Sequence, residues 1–275
     1  VALAQVLINR GMDTAERARV FLDPELQLLP SPLEEFPDLA IAVEMLGVAI
    51  AKQQRIAICG DYDADGMTST ALLWRSLRYL GGRVEYAIPS RMQEGYGINH
   101  RIVEEFHQRG VRLILTVDNG IAAYGPIDFA RGLGMTVIVT DHHEVPKHRV
   151  AADAILNPKQ LGCQYPDKKL AGVGVAFLLL TALRRALDAR DFSLSQFLDL
   201  VAVGTVCDVA ELTGGNRILV KHGLPRISES SFRGLKVLAS RASAEPRAMK
   251  VRDLGFFIGP RLNASGRLGD PELGL

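Results

Sequence analysis

Four short strand-like runs, at residues 56–59, 84–88, 113–117 and 136–140, constrain this chain more than any other feature. Each is too short for a core helix, and each is closed by Gly, Pro or Asp. Between them lie stretches with apolar residues at helical spacing, 67–80, 99–109 and 127–133. Gly81-Gly82 makes one turn, and Asn99 is placed to cap the second helix. Residues 155–156, before Asn157-Pro158, read as a short fifth strand. Repeated strand–helix–strand units with near-continuous apolar strands predict an α/β fold, a mostly parallel sheet with helices on both faces. After Gly174 the pattern turns helical, at 175–187, 194–203 and 218–227, so a helical linker follows the sheet.

Upstream, residues 1–29 read as two short amphipathic helices separated by Gly11. Asp13 or Thr14 caps the second, and Pro24 lies beyond its end. A Pro-rich connector, 30–37, leads to a helix over 39–52. The expected organisation is an N-terminal helical segment (1–52), a central domain (53–227), and a linker opening a second unit (228–275). The last boundary falls where Ser228-Glu229-Ser230-Ser231 loosens the chain.

With 275 residues and 48% apolar side chains, the chain is long enough to bury a substantial core. Its formal charge of +1 argues against a strongly basic nucleic-acid arm while leaving room for a local basic patch. The three cysteines, Cys59, Cys163 and Cys207, have no CxxC spacing; they fit a reducing, cytoplasmic setting and do not make a zinc site. The longest apolar stretch, 173–183, is too short to span a bilayer, and no signal sequence is visible. The chain lacks an initiating Met and stops at Leu273-Gly274-Leu275 without a turn signal, so it reads as part of something longer.

The chemistry concentrates where strands are expected to end. The first runs into Asp61, Asp63 and Asp65, the third into Asp118-Asn119-Gly120, and the fourth into Asp141-His142-His143. Parallel strands bring these ends to one rim, where open α/β sheets bind ligands. Acids so close repel one another unless a cation compensates, and hard divalent ions favour such oxygen clusters. An EF-hand loop fits Asp61, Asp63, Asp65 and Gly66 but fails at Leu72, where a bidentate Glu is required. Each piece also has a structural reading. Asp118 before Asn119-Gly120 suits a turn, Asp141 suits a helix cap, and Asp208 in an apolar stretch suits a buried, hydrogen-bonded acid. His100, His107, His148 and His222 sit in polar or helical surroundings and read as structural.

With these residues in hand, the sequence resembles the DHH phosphoesterase superfamily and, within it, the RecJ-type single-strand-specific exonucleases. The resemblance is carried by Gly60-Asp61-Tyr62-Asp63-Ala64-Asp65-Gly66, Glu94-Gly95-Tyr96-Gly97, Val117-Asp118-Asn119-Gly120-Ile121 and Asp141-His142-His143. It continues through Leu170-Ala171-Gly172-Val173-Gly174, Gly204-Thr205-Val206-Cys207-Asp208, Asn216-Arg217 and the run from Gly259 to Arg267. Any one motif is weak; their order and spacing together are specific.

The resemblance implies two metals bridged by Asp118, one held by Asp61, Asp63 and Asp118, the other by Asp65, Asp118, His142 and Asp208. Asp61 stands where many superfamily members carry His, and an oxygen ligand there suits Mn²⁺ or Mg²⁺. His143 would contact the scissile phosphate while Asp141 orients the neighbouring imidazole. Arg91, Tyr96, Arg261, Asn263 and Arg267 would bind substrate, the last three from a Gly-rich turn that reads Asn263-Ala264-Ser265-Gly266-Arg267 where the family has Ala in place of Ser265. The implied activity is 5′ to 3′ digestion of single-stranded DNA to mononucleotides in DNA repair and recombination. The implied protein is a monomer without membrane contact, with room for helicase and single-strand-binding-protein partners. The family's second core domain would follow near Leu275. Two other readings share parts of this pattern: a superfamily member acting on short oligonucleotides or cyclic dinucleotides, and a scaffold that has lost catalysis.

Overall fold

A computed structural model describes residues 2–24, 31, 35–242, 249–268 and 274–275. Two short helices, α1 (Ala2–Asn9) and α2 (Ala15–Leu22), open the chain, and α3 (Leu39–Ala51) leads into the sheet. The Thr14 hydroxyl accepts the Arg17 amide at 3.1 Å and so starts α2, one of the two caps expected there. Half of the expected connector at 30–37 lies outside the described residues.

The sheet is built from β1 (Arg55–Cys59), α4 (Ala64–Tyr79), β2 (Arg83–Ala87), α5 (His100–Gln108), β3 (Val111–Val117), α6 (Tyr124–Gly132), β4 (Thr136–Thr140) and β5 (Ala154–Leu156). All five strands are parallel, in the order β2-β1-β3-β4-β5. The chain steps outward from β1 to β2 and then returns to build the other side from β3. The crevice between the carboxyl ends of β1 and β3 is therefore the topological switch point, where such sheets bind ligands.

Strand side chains alternate between two apolar layers. Ile56, Ile58, Leu115, Val117 and Ile138 pack under α3, α4 and the later helices, while Ala57, Cys59, Ile114, Val137 and Val139 pack under α5 and α6. A register shift beside Arg55 and Ile56 lets Val111 share the second layer with Ile114 despite its odd spacing.

The helical part comprises α7 (Gly172–Ala186), α8 (Leu198–Cys207), α9 (Gly214–Gly223), α10 (Arg233–Ala242), a short α11 (Val251–Asp253), a π-helical turn at Leu254–Ile258, and α12 (Gly259–Leu268). Leu235, Ala239, Leu254 and Ile258 of this last part join the same apolar cluster as α3, α4, α7 and α8.

Three differences from the sequence expectation shape the site, beside shifts of a few residues at the bounds of α6, α8 and α9. Helix α4 starts at Ala64 rather than 67, because the Asp63 carboxylate accepts the amides of Asp65 (2.9 Å) and Gly66 (3.0 Å) and closes the first turn. Helix α7 starts at Gly172 rather than 175. The run from Gly259 to Arg267, expected as a Gly-rich turn, is helical. Its proline, Pro260, stands two residues past the π-helical turn in an unbroken helical run from Val251 to Leu268, and Gly266 lies against the main chain of Tyr62, where a Cβ would approach its carbonyl oxygen to 2.5 Å. These glycines serve close packing. Among the described residues no helix is long and apolar enough to cross a membrane.

Candidate metal centre

The site forms at the carboxyl rim of β1, β3 and β4, closed from one side by the end of α8. Gly60 ends β1, and Asp61 follows, buried, accepting the Gly97 amide at 3.3 Å. Gly66 lets the main chain of Asp61 lie against the first turn of α4; a Cβ there would fall 2.6–2.8 Å from Asp61 backbone atoms. The same first turn presents Asp65, whose two carboxylate oxygens accept the first amides of α7, Gly172 at 2.7 Å and Val173 at 3.0 Å.

At the end of β3, Asp118 adopts φ +61°, a conformation that Asp and Asn tolerate better than other side chains except Gly. Three contacts hold it there: its amide donates to Thr140 O (3.1 Å), the Tyr96 hydroxyl donates to its carbonyl, and the next residue is pinned. That residue, Asn119, donates to the carbonyls of Cys59 (3.0 Å) and Val117 (2.9 Å) and accepts the Ile98 amide (3.1 Å), tying β1, β3 and the 94–97 loop together.

At the end of β4, Asp141 accepts the amides of Ile121, His142 and His143, and its Oδ1 lies 2.7 Å from His143 Nδ1. The His142 ring, 12% exposed, turns inward: Nε2 is 3.0 Å from Asp118 Oδ1 and 3.9 Å from Asp65 Oδ2, and Nδ1 is 3.8 Å from Asp208 Oδ2. His143 is 47% exposed, faces the opening, and has Tyr96 Oη 3.2 Å from its Nδ1.

Among the described residues, two groups of ligand-type side chains are thus gathered closely enough to share an ion: Asp65, His142 and Asp208, and Asp118, His142 and His143. Asp61 and Asp63 belong to neither group, although both charges act on Asp118. Whether this donor set fits a divalent cation can be judged from two atoms. Asp118 Oδ1 and His142 Nε2 are buried, face each other, and make no hydrogen bond. Buried polar atoms are normally paired, and at 3.0 Å apart the two leave room for a shared partner only beside them, as a cation bound by both would be.

The electrostatics agree. Burial, then the Asp65 charge, pushes the Asp118 carboxyl well above the ordinary carboxylate range, and burial with Asp208 does the same to Asp65. Burial and Asp63 raise Asp61 to about 7 and Asp208 to about 6. Burial, reinforced by the His143 charge, lowers His142 to about 4, leaving it a neutral imidazole at physiological pH. His143 is raised by its hydrogen bond to Asp141. At Asp141 burial opposes ionisation, but the His143 hydrogen bond and charge with the amides of Ile121 and His143 outweigh it and hold the carboxyl low. Four acids that burial and mutual repulsion hold back from ionising, beside a neutral imidazole, are an arrangement that a cation would relieve, while Asp141 and His143 are joined by a separate hydrogen bond that favours charge on both.

The sign of the resulting pH dependence follows from the raised acids. Without metal, Asp61 and Asp208 keep their protons in the folded state up to pH about 7 and 6, above the ordinary 3.8. That contribution to stability is complete below the unfolded pKa and is lost as pH rises through the folded value. Chelated protein is therefore expected to lose stability between pH about 4 and about 7 relative to Mn²⁺-loaded protein. Thermal melts across that range measure it, and parallel curves would refute the assignment.

The expected substrate residues fall in two groups beside the site, one around Tyr62 and Tyr96 and the other on α12. The Arg91 guanidinium lies 5.2 Å from the Tyr62 ring, and Tyr62 packs edge-on against Tyr96. The Tyr96 hydroxyl is engaged with Asp118, which leaves only its ring for stacking. In the second group, Asn263 Oδ1 accepts the Ala64 amide at 2.7 Å and docks α12 on the start of α4. Arg261 and Arg267 are exposed on α12, with Arg261 also bonded to Phe257 O. Sequence reasoning singled out the 170–174 motif without assigning it a task; its amides are the partners of Asp65. It missed Tyr62 and Asn119 as organisers, although both stand beside metal-competent acids in motifs already singled out.

Residues 55–205 match the profile of the DHH family, N-terminal domain. The chain belongs to the DHH family. This DHH-family chain is 45% identical over 284 residues to the single-stranded-DNA-specific exonuclease RecJ of Escherichia coli (strain K12), an alignment covering 99% of this chain and 48% of that protein. Among solved structures, exonuclease RecJ bound to manganese superimposes with a TM-score of 0.78 at 41% identity, over 87% of this chain and 60% of that one. RecJ from Thermus thermophilus in complex with Mn²⁺ gives 0.81 at 39% identity, over 99% of this chain and 38% of that one. The DHH chain thus spans about half the length of the E. coli relative. The five-stranded parallel α/β fold expected from the sequence is the fold found.

Proposed function

We propose that this chain carries the metal-dependent core of an exonuclease that degrades single-stranded DNA from 5′ to 3′, releasing mononucleotides in DNA repair and recombination. The observation that carries the reading is the convergence on His142 of Asp65, Asp118 and Asp208, from three separate elements, with Asp118 Oδ1 and His142 Nε2 left unpaired. Asp61, Asp63 and Asp118 would hold one Mn²⁺ or Mg²⁺; Asp65, Asp118, His142 and Asp208 would hold the other. The oxygen-rich donor set suits these hard ions. When bound, such a pair lowers the pKa of water and stabilises charge on the entering and leaving oxygens.

The chain's own residues supply the rest. Asp118, in its fixed left-handed conformation, would offer its carboxylate to both ions. His143, facing the opening, has its protonated form favoured by the hydrogen bond to Asp141 and would place positive charge where the phosphate gathers negative charge. Asp141 fixes the imidazole through Nδ1 and so aims Nε2 outward. Arg91 with the Tyr62 and Tyr96 rings in one group, and Arg261 and Arg267 in the other, combine cations with stacking faces. That pairing suits unpaired bases and their phosphates. Asn263 sets the position of the second group through Ala64. We take the protein to work as a cytoplasmic monomer, with helicases and single-strand-binding proteins as compatible partners.

The test is digestion by the full-length protein of 5′- and 3′-labelled single strands, duplexes and dinucleotides, with and without Mn²⁺. Mn²⁺-dependent mononucleotide release from 5′ ends of single strands is expected. Preference for dinucleotides would favour the small-substrate reading, and silence on every substrate despite metal binding would favour a scaffold.

A further inference from the structure

The motif Asn216-Arg217 has no part in the mechanism above, yet Asn216 is almost wholly buried in the first turn of α9. Its side chain faces the loop that enters α7. Oδ1 accepts the Ala171 amide at 3.3 Å, while Nδ2 donates to Lys169 O at 2.7 Å and Glu211 O at 3.0 Å. Asp167 of the same loop returns the contact by accepting the Gly215 amide at 2.8 Å. The fit is tight: a Cβ on Gly214 would fall 1.9 Å from Asp167 Oδ1.

Ala171 is the N-cap of α7 and has no capping side chain of its own; Asn216, from another helix, accepts the N-cap residue's own amide, the bond that a capping-box side chain would otherwise make. The next two amides, Gly172 and Val173, hold the two oxygens of Asp65. The chain of contacts runs from Asn216 through Ala171 to the Asp65 carboxylate, with no loose link between. We propose that Asn216 is a positioning residue for Asp65: it fixes the start of α7 so that two consecutive amides aim that carboxylate at the metal centre. The inference rests on the reading that Asp65 holds a divalent ion.

Arg217 points the other way, donating from Nε to Phe21 O and lying 3.9 Å from the Phe21 ring. It therefore serves as a control for general loosening of α9.

The experiment compares Asn216→Ala, Asn216→Asp and Arg217→Ala in the full-length protein. In chelator, hydrogen exchange at the Gly172 and Val173 amides is expected to accelerate at least about tenfold in N216A and to stay unchanged in R217A. Calorimetric Mn²⁺ titration of N216A is expected to show one site weakened about 10- to 100-fold, the range for lost supporting partners of metal ligands. The other site should keep its affinity, and kcat should fall while KM for single strands holds. N216D keeps an acceptor for Ala171 and should fall between; if N216A does not fold, N216D decides by the same readouts. Wild-type exchange at Gly172 and Val173 in N216A overturns the positioning role. Absence of Mn²⁺ binding by the unaltered protein would instead overturn the reading of the site, and the exchange result stands apart from it.

Discussion

Replacing Asp118 with Asn is expected to remove Mn²⁺-dependent nucleotide release while leaving the metal-free protein at least as stable as the parent. The two effects have one origin. Asp118 sits at φ +61°, which Asn adopts as readily as Asp, so the exchange keeps the backbone where Ala would strain it. It also keeps the shape of a side chain that is almost fully buried. What it removes is a negative charge that burial and Asp65, Asp63, Asp141 and Asp61 all oppose. Without metal that charge is a burden, so thermal melts in chelator should rise by a few degrees. In the proposed site it would be the ligand shared by both ions, so the loss of activity should exceed the roughly 10- to 100-fold that follows loss of a supporting partner. Retained Mn²⁺-dependent activity in the variant would remove Asp118 from the mechanism.

The second large effect is expected at Gly204. This residue of α8 faces α4 and α7, and a Cβ there would lie 2.4 Å from Thr68 Oγ1, 2.8 Å from Asp65 Oδ1 and 2.9 Å from Val173 Cγ1. Thr68 can rotate away, losing its bond to Ala64 O. Asp65 cannot, because Gly172 and Val173 hold both its oxygens. Overpacking of this kind destabilises by about 1–3 kcal/mol, partly offset by the roughly 0.5–1 kcal/mol that Ala gains over Gly inside a helix. Net stability should therefore fall modestly, while displacement of a ligand carboxylate should lower activity more than about a hundredfold, since an ångström of misplacement is already worth about that much. Gly234 of α10 offers the control: a Cβ there meets nothing within 4 Å. Gly234→Ala should leave activity unchanged. If Gly204→Ala behaves the same way, the crowding around Asp65 has no functional weight.

The sheet was legible in the sequence because its strands are buried on both faces and end abruptly. Ile56, Ile58, Ala57 and Cys59 leave no polar position to confuse with a surface helix, and Gly60 closes the run. The gathering of acids was legible for the same reason, since parallel strands place their carboxyl ends on one rim whatever their separation in sequence. The starts of α4 and α7 were not legible. Gly66 and Gly172 look like turn residues, yet both are helical and small because Asp61 in one case, and Asp118 with Asp65 in the other, leave no room for a Cβ. Helix α12 was hidden by the same ambiguity between glycine for a turn and glycine for close approach. The motif from Leu170 to Gly174 was visible, but its pairing with Asp65 was not, because backbone amides carry no residue type to say what they bind.

On the proposed reading, carboxylates from the start of α4 and the ends of β3 and α8 meet His142 and grip paired divalent ions. Equilibrium Mn²⁺ titration of the full-length protein, followed by electron paramagnetic resonance, tests it most directly. Two ions bound per chain, both weakened by Asp118→Asn, are expected. No tight binding, or two ions held as firmly by the Asp118→Asn variant as by its parent, would contradict it.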